Sequence, residues 1–202
     1  MNMLTAAIFF PVLGYLLGSI PFGLIIVRWI LRTDIRQIGS GNIGATNVRR
    51  AAGTWWAVVV LLCDIFKGLL PIIGAMRVDT APWRWLTAIT AVAAVCGHMY
   101  PLFLGFKPSG KGVATCLGTL LIPAPLACLV SLMVFIAAVK ATRHVSAGSL
   151  IAVSALPPAT WFSSGDPFMT AAALIIMILV LTRHKENLER LARGNEPRLG
   201  KP

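Results

Sequence analysis

Three short polar stretches carry residue types that can hold a phosphate: Gly39-Ser40-Gly41-Asn42-Ile43-Gly44-Ala45-Thr46-Asn47, Lys107-Pro108-Ser109-Gly110-Lys111-Gly112 and His184-Lys185-Glu186-Asn187. In the first, Gly39, Gly41, Gly44 and Ala45 surround Ser40, Asn42, Thr46 and Asn47. Small residues let backbone N–H groups come close to an anion. A helix starting near Thr46 would add the positive potential of its N-terminus. Arg49 and Arg50 can then add bidentate contacts. In the second, residues 105–112 read G-x-x-x-x-G-K-G, close to a Walker A loop. That loop needs a Mg²⁺-binding hydroxyl where Gly112 stands, and a preceding strand. An apolar run precedes it here, which excludes a nucleotide site. What survives is a glycine loop (Gly110, Gly112) carrying Lys107 and Lys111. In the third, His184 and Asn187 share a helical face at i, i+3, with Arg183, Arg190 and Arg193 nearby. Glu189, at i, i+5 from His184, points away, so no His–carboxylate dyad is assigned.

Two charged residues, Asp64 and Lys67, fall inside an apolar run. Intramembrane charges are functional candidates, but at i, i+3 these two can equally pair with each other. His98 reads as a structural group of the bundle. Cys63, Cys96, Cys116 and Cys128 each stand alone in apolar segments and read as core thiols. The sequence contains no zinc pattern, HExxH, GxSxG or Ser–His–Asp spacing. Neither a metal nor a cofactor is expected.

The elements that position these stretches are membrane helices. The 202-residue chain is 57% hydrophobic and 12% charged, against roughly a quarter charged in soluble domains. Its mean hydropathy is +0.80. Backbone in hydrocarbon must satisfy itself in helices or closed barrels, and continuous rather than alternating apolar runs exclude a barrel. The expected fold is therefore all-α: one polytopic membrane domain over 1–202. Its bundle has seven transmembrane helices, or five if short segments merge. The segments are 5–30 (interrupted by Pro11, Gly18 and Pro21), 55–76, 85–104, 111–122, 126–139, 146–162 (bent at Pro157-Pro158) and 168–182. A polar link lies at 77–84, and a helical tail runs to Gly194. Segment 111–122, about 18 Å as helix, is short for a core of roughly 30 Å. The first run lacks the basic start of a removable signal peptide.

The net charge of +11 comes from 18 Lys and Arg against 7 Asp and Glu. With seven alternating crossings, Arg28, Arg32, Arg36, Arg49, Arg50, Lys107, Lys111, Lys140, Arg143, Arg183, Lys185, Arg190, Arg193, Arg198 and Lys201 share one side. Arg77 and Arg84 hold the other, and Lys67 lies within a span. The positive-inside rule makes the first side cytoplasmic and puts the N-terminus outside. All three polar stretches and the C-terminus then face the cytoplasm. The excess charge is topogenic, beside anionic lipid, and no nucleic-acid motif accompanies it.

Together the stretches resemble the bacterial acyl-phosphate:glycerol-3-phosphate acyltransferase family, the PlsY family. The likeness covers segments 39–50, 97–115 and 184–196 in order and spacing. It implies a seven-helix enzyme of the bacterial inner membrane that moves a fatty acyl group from acyl-phosphate to the 1-hydroxyl of sn-glycerol 3-phosphate. The products would be lysophosphatidic acid and phosphate, in the first step of phospholipid synthesis. The implied partners are glycerol 3-phosphate, fatty acyl-phosphate and membrane lipids. By motif position, Ser40, Arg50, Lys111, His184 and Asn187 line the polar site. The second motif departs from the family's Phe-Lys-Gly-Gly-Lys-Gly. Phe106-Lys107-Pro108-Ser109-Gly110-Lys111-Gly112 is one residue longer and stiffened by Pro108, which leaves open which lysine reaches the phosphate. Acyl-phosphate carries a good leaving group, so alignment and neutralisation suffice. Direct attack without an acyl-enzyme is expected, the proton leaving through a phosphate oxygen or His184. The alternative is a small transporter or binding protein for a phosphorylated metabolite, which would use the same three stretches.

Overall fold

A computed structural model describes residues 2–79 and 84–199. Residues 80–83 of the expected 77–84 link, and Lys201 of the charge count, lie outside the described residues. Among the described residues all regular structure is helical. Helices α1 (Met3–Gly18) and α2 (Phe22–Leu31) form one 29-residue pass. It breaks between them because Pro21 offers no N–H and its ring disfavours a helical Ile20. The Ser19 hydroxyl donates to the Tyr15 carbonyl (2.8 Å) and accepts from the Leu102 N–H (3.2 Å). A single 3-10 turn at Ile35–Gln37, capped by Asp34, leads into the first polar stretch.

The other helices are α3 (Ala45–Ala52), α4 (Thr54–Val78), α5 (Trp85–Met99), α6 (Val113–Leu120), α7 (Pro125–Thr142), α8 (Val145–Ser164), α9 (Pro167–Arg183) and α10 (Lys185–Ala192). All seven expected segments are thus helical and in order. Met3–Leu31, α4, Trp85–Leu104, α7 and α8 are long and apolar enough to cross a membrane. Helix α9 passes the same test only together with α10, from which it is bent by 59°. Helix α6 has eight residues, about 12 Å, and cannot cross by itself. The expected bend at Pro157-Pro158 does not interrupt α8, which runs through both prolines. Proline's locked φ is itself helical, and Leu156 packs into the core beside Met169 and Ala173 of α9.

Contacts between termini give each helix a direction. Asp166, at the start of α9, accepts from the Arg84 N–H at the start of α5 (3.0 Å). At the opposite end, the Leu199 N–H donates to the Arg143 carbonyl after α7 (2.7 Å). Lys111 reaches Asn187 there as well (2.6 Å). Chain order then runs α4 away from this second end, α5 toward it, α6 away, α7 back, α8 away and α9 back.

The core joins Ile72 of α4, Val95 and Met99 of α5, Leu120 of α6, Val153 of α8 and Ile176 of α9. The outside is apolar too: Leu4 is 74% exposed and Phe162 86%, whereas Asp64, Lys67 and His98 are buried. That inversion of a soluble protein's pattern fits a hydrocarbon surround. Trp29 and Trp56 stack edge to face near the first polar stretch, as aromatic belts do at membrane interfaces. Small residues bring backbones together. A Cβ on Gly18 would overlap the Ala94 carbonyl, and one on Gly97 the Tyr15 carbonyl, so α1 and α5 touch.

Candidate active site

The first polar stretch is a loop folded round one amide. The Asn47 Oδ1 accepts from the Ser40 N–H (3.2 Å). Its Nδ2 points to the carbonyls of Ile38 (2.9 Å), Asn42 (2.9 Å) and Ile35 (3.3 Å). With these hydrogen bonds made inside the loop and its side chain buried, Asn47 shapes the loop. Asn42 Oδ1 accepts from the Gly44 N–H (2.8 Å) and closes a tighter turn. Gly39 and Gly41 have φ of +56° and +66°, values that other residues reach only with strain. Helix α3 starts at Ala45 with Gly44 as its cap, so a helix N-terminus does face this loop. Ser40, Thr46, Arg49 and Arg50 are exposed around it. Nearby, the Arg36 guanidinium grips Asp34 and lowers the carboxyl to about 2.

The second and third stretches meet directly. Lys111 Nζ donates to Asn187 Oδ1 at 2.6 Å, Asn187 Nδ2 donates to Glu196 Oε1 at 2.6 Å, and Arg190 Nε donates to Glu196 Oε2 at 2.8 Å. A carboxylate only accepts, so Glu196 obliges the Asn187 amide to turn its oxygen toward Lys111. Burial would raise the Glu196 carboxyl, but the donors around it, Arg190 and Asn187 among them, hold it below its ordinary value. Lys111 is pushed down to about 8, chiefly by burial, with Glu196 opposing and Arg190 reinforcing. Lys107 is exposed on the far side of Pro108. Of the two lysines, the structure turns Lys111 inward.

His184 lies at the bend between α9 and α10 and is buried. Its Nδ1 sits 2.8 Å from the Val180 carbonyl, which only accepts, so Nδ1 carries the proton and Nε2 is left as an acceptor. Burial is the main reason its pKa falls to about 4; the Val180 bond opposes this and Lys111 adds to it. His184 is therefore neutral through the physiological range. Asn187 occupies the first turn of α10, across the bend from His184 rather than one turn along an unbroken helix.

Two groups outside the predicted set complete the arrangement. Glu196 orients Asn187, as above. Arg183 Nε donates to the Gly110 carbonyl (3.2 Å), with its guanidinium over the Tyr100 ring (5.8 Å to the centroid). Glycine at 110 is required sterically, since a Cβ would overlap His98 Nε2. Gly112 has φ +81° and caps α6. Glu196 has no spacing signature: it folds back from beyond α10 on a tail held by Arg143 and by His144, whose Nδ1 is 3.3 Å from the Pro197 carbonyl.

No hydrogen bond joins the first stretch to the other two among the described residues. They share one end of the bundle through packing. Leu104, just before the second stretch, packs on the cluster of Ile43, Val48 and Val60. A groove of about 210 Å³ opens between α3 and α4, lined by Ala45, Thr46, Arg49, Thr54, Ala57, Val58 and Leu61. Thr46, Arg49 and Thr54 make part of the lining polar, and Ala45, Ala57, Val58 and Leu61 make the rest apolar. Among the described residues no group of three or more His, Cys, Asp or Glu can hold a metal ion.

A family model described as glycerol-3-phosphate acyltransferase matches residues 8–194. The chain is 43% identical to the glycerol-3-phosphate acyltransferase of Syntrophotalea carbinolica, over 92% of this chain and 93% of that one. It is 47% identical to that of Anaeromyxobacter dehalogenans, over 92% and 94%. Its fold matches the crystal structure of PlsY, an integral membrane glycerol 3-phosphate acyltransferase, in the glycerol 3-phosphate form, with TM-score 0.91, 39% identity and 96% of both chains covered. The lysophosphatidic acid form of PlsY matches with TM-score 0.88 at 38% identity, over 96% of this chain and 95% of that one. An all-helical membrane bundle, three polar stretches converging on one end and these likenesses along nearly the whole length agree: the chain belongs to the glycerol-3-phosphate acyltransferase family.

Proposed function

We propose that the chain transfers a fatty acyl group from acyl-phosphate to the 1-hydroxyl of sn-glycerol 3-phosphate, releasing lysophosphatidic acid and phosphate. The observation that carries this reading is the pairing of a half-buried cation with a neutral acceptor around one oriented amide: Lys111, His184 and Asn187. Lys111 and Gly110 with Gly112 hold one phosphate, with Arg183 beside them. The loop of Gly39, Ser40, Gly41, Asn42 and Gly44, with Thr46, Arg49 and Arg50, holds the other. The glycerol hydroxyl attacks the acyl carbonyl, the carbon–oxygen bond to phosphate breaks, and phosphate departs with its negative charge neutralised. A phosphate oxygen, with a pKa of about 6, is a better proton acceptor than His184. The histidine Nε2 instead accepts a hydrogen bond that aims the hydroxyl. The groove between α3 and α4 takes the start of the acyl chain along Ala57, Val58 and Leu61 of the membrane span.

The chain is one polytopic domain whose segments 39–50, 97–115 and 184–196 face the cytoplasm from the bacterial inner membrane, with the N-terminus outside. The cation asymmetry supports this orientation. Arg77 and Arg84 sit at the end opposite Lys111, while Lys140, Arg143, Arg183 and Lys185 sit beside it. Phosphate release from acyl-phosphate plus glycerol 3-phosphate by the purified chain in micelles tests the reaction. No release, or release independent of glycerol 3-phosphate, refutes it. A stable acyl adduct on Ser40 would refute direct attack.

A further inference from the structure

Three ionisable side chains lie inside the membrane-spanning part of the bundle, each no more than 3% exposed: Asp64 and Lys67 on α4, and His98 near the end of α5. Lys67 Nζ is 2.8 Å from Asp64 Oδ1, donates to the Ile20 carbonyl at 2.8 Å, and lies 5.7 Å from the Phe22 ring centroid. His98 Nδ1 approaches the same Asp64 oxygen at 3.6 Å without a hydrogen bond of its own. The opposite edge of the His98 ring, Nε2 and Cδ2, lies directly against Gly110. Next to it the Ser109 N–H donates to the Met99 carbonyl at 3.0 Å.

A helix needs no such charges to stay folded in lipid, and ionised groups at this depth are costly. An i, i+3 pair that only neutralised itself would end at Asp64 and Lys67. This cluster continues at both ends into segments that carry the proposed site. Through Lys67 it holds the carbonyl freed where α1 breaks into α2, and α2 leads to the first loop. At Asp64 it packs against His98, with Asp64 Oδ1 3.6 Å from His98 Nδ1, and the His98 ring is the floor under Gly110, the residue before Lys111.

We propose that Asp64, Lys67 and His98 are positioning residues, a buried ion cluster that sets the height of the 105–112 loop and so places Lys111 against Asn187. The role rests on the acyltransferase reading above. None of the three touches substrate. Their work is to keep the two phosphate-holding loops at a fixed separation, which matters because misplacement of a binding group by about an ångström can cost on the order of a hundredfold in rate.

The test uses the full chain in detergent micelles. The double variant Asp64→Asn/Lys67→Met removes both charges and strands neither. His98→Ala removes the floor, and His98→Gln keeps a polar side chain of similar bulk. The expected result is a KM raised about tenfold or more, for the substrate whose phosphate the 105–112 loop holds, in the double variant and in His98→Ala. The unfolding temperature stays near that of the parent, and His98→Gln restores most of the affinity. KM values for glycerol 3-phosphate and acyl-phosphate both within twofold of the parent in the folded variants overturn the proposal, whatever happens to stability. If the double variant does not fold, the two His98 variants decide alone. A second readout is independent of turnover: acetylation of Lys111 relative to Lys107, followed by mass spectrometry, should rise severalfold in His98→Ala. If the parent shows no acyl transfer, the acyltransferase reading fails, while the labelling ratio still reports the loop. An unchanged ratio then overturns the positioning role.

Discussion

The ammonium of Lys111 and the amide oxygen of Asn187 are 2.6 Å apart although 76 residues separate them in the chain. The contact is polarised from behind, because Glu196 leaves Asn187 Nδ2 no other orientation. The first prediction concerns this relay. Asn187→Ala should lower kcat/KM by about a hundredfold or more, the scale expected when a preorganised polar contact at a reacting centre is lost. Phosphate-release kinetics check it, and a loss under threefold would separate the relay from catalysis.

Glu196→Gln should destabilise the fold as well. Glu196 accepts at both oxygens, one from Asn187 and one from Arg190. A glutamine has one acceptor and must abandon one donor. The oxygen stays on buried Asn187, and the half-exposed Arg190 loses its charged partner at a cost of about 1 kcal/mol or less, so the unfolding transition in detergent should move down by a few degrees. An unchanged transition would show that the tail is not anchored there.

The two lysines of the second stretch should behave oppositely. Lys111→Ala should remove nearly all turnover from a folded protein. Lys107→Ala, altering an exposed side chain, should change kcat/KM less than threefold. Comparable losses in both would mean that the loop refolds round its substrate.

The pH profile follows from the same groups. In the proposed role Lys111 would bind phosphate as the ammonium, the form present below its pKa of about 8. kcat/KM should therefore fall as pH rises through about 8. His184 titrates near 4, so it stays neutral above that and contributes no limb between pH 5 and 8. Any acid limb near 6 belongs to the substrate phosphate. Bound phosphate favours the ammonium, so the alkaline limb in kcat should lie higher than in kcat/KM. A limb at 6 to 7 that vanishes in His184→Gln would reassign the proton acceptor.

The groove between α3 and α4 predicts chain-length selectivity. Leu61→Trp adds bulk to its apolar lining and should lower activity on long acyl-phosphates relative to short ones. An unchanged preference would place the chain elsewhere.

Much of this arrangement was legible in the sequence because the membrane constrains it. A helical bundle, seven ordered segments and three basic stretches at one end follow from hydropathy and from the positions of Arg and Lys. The Asp64–Lys67 pair could be read from its i, i+3 spacing. Glu196 could not, because a tail that folds back obeys no periodicity. Nor could Asn47 be told from a ligand-facing amide, since its role depends on three carbonyls brought round by the loop. Lys107 and Lys111 are equivalent on paper. Only the path of the chain past Pro108 separates them. The shortness of α6 was visible, whereas the uninterrupted course of α8 through Pro157 and Pro158 depended on packing against α9.

The contact between α1 and α5 has a consequence beyond packing. Gly18 lies directly before the break that leads to the first loop, and Gly97 directly before His98 beneath the second. The two backbones therefore meet just before α1 gives way to α2, which carries the chain on to the first loop, and just before α5 gives way to the second. That meeting point acts as a common datum: no layer of side chains lies between the helices to absorb a shift. The spacing between two distant motifs is then set by residues that bear no functional group. A single added methyl at Gly18 would offset both loops together, and its effect would be read at the substrate.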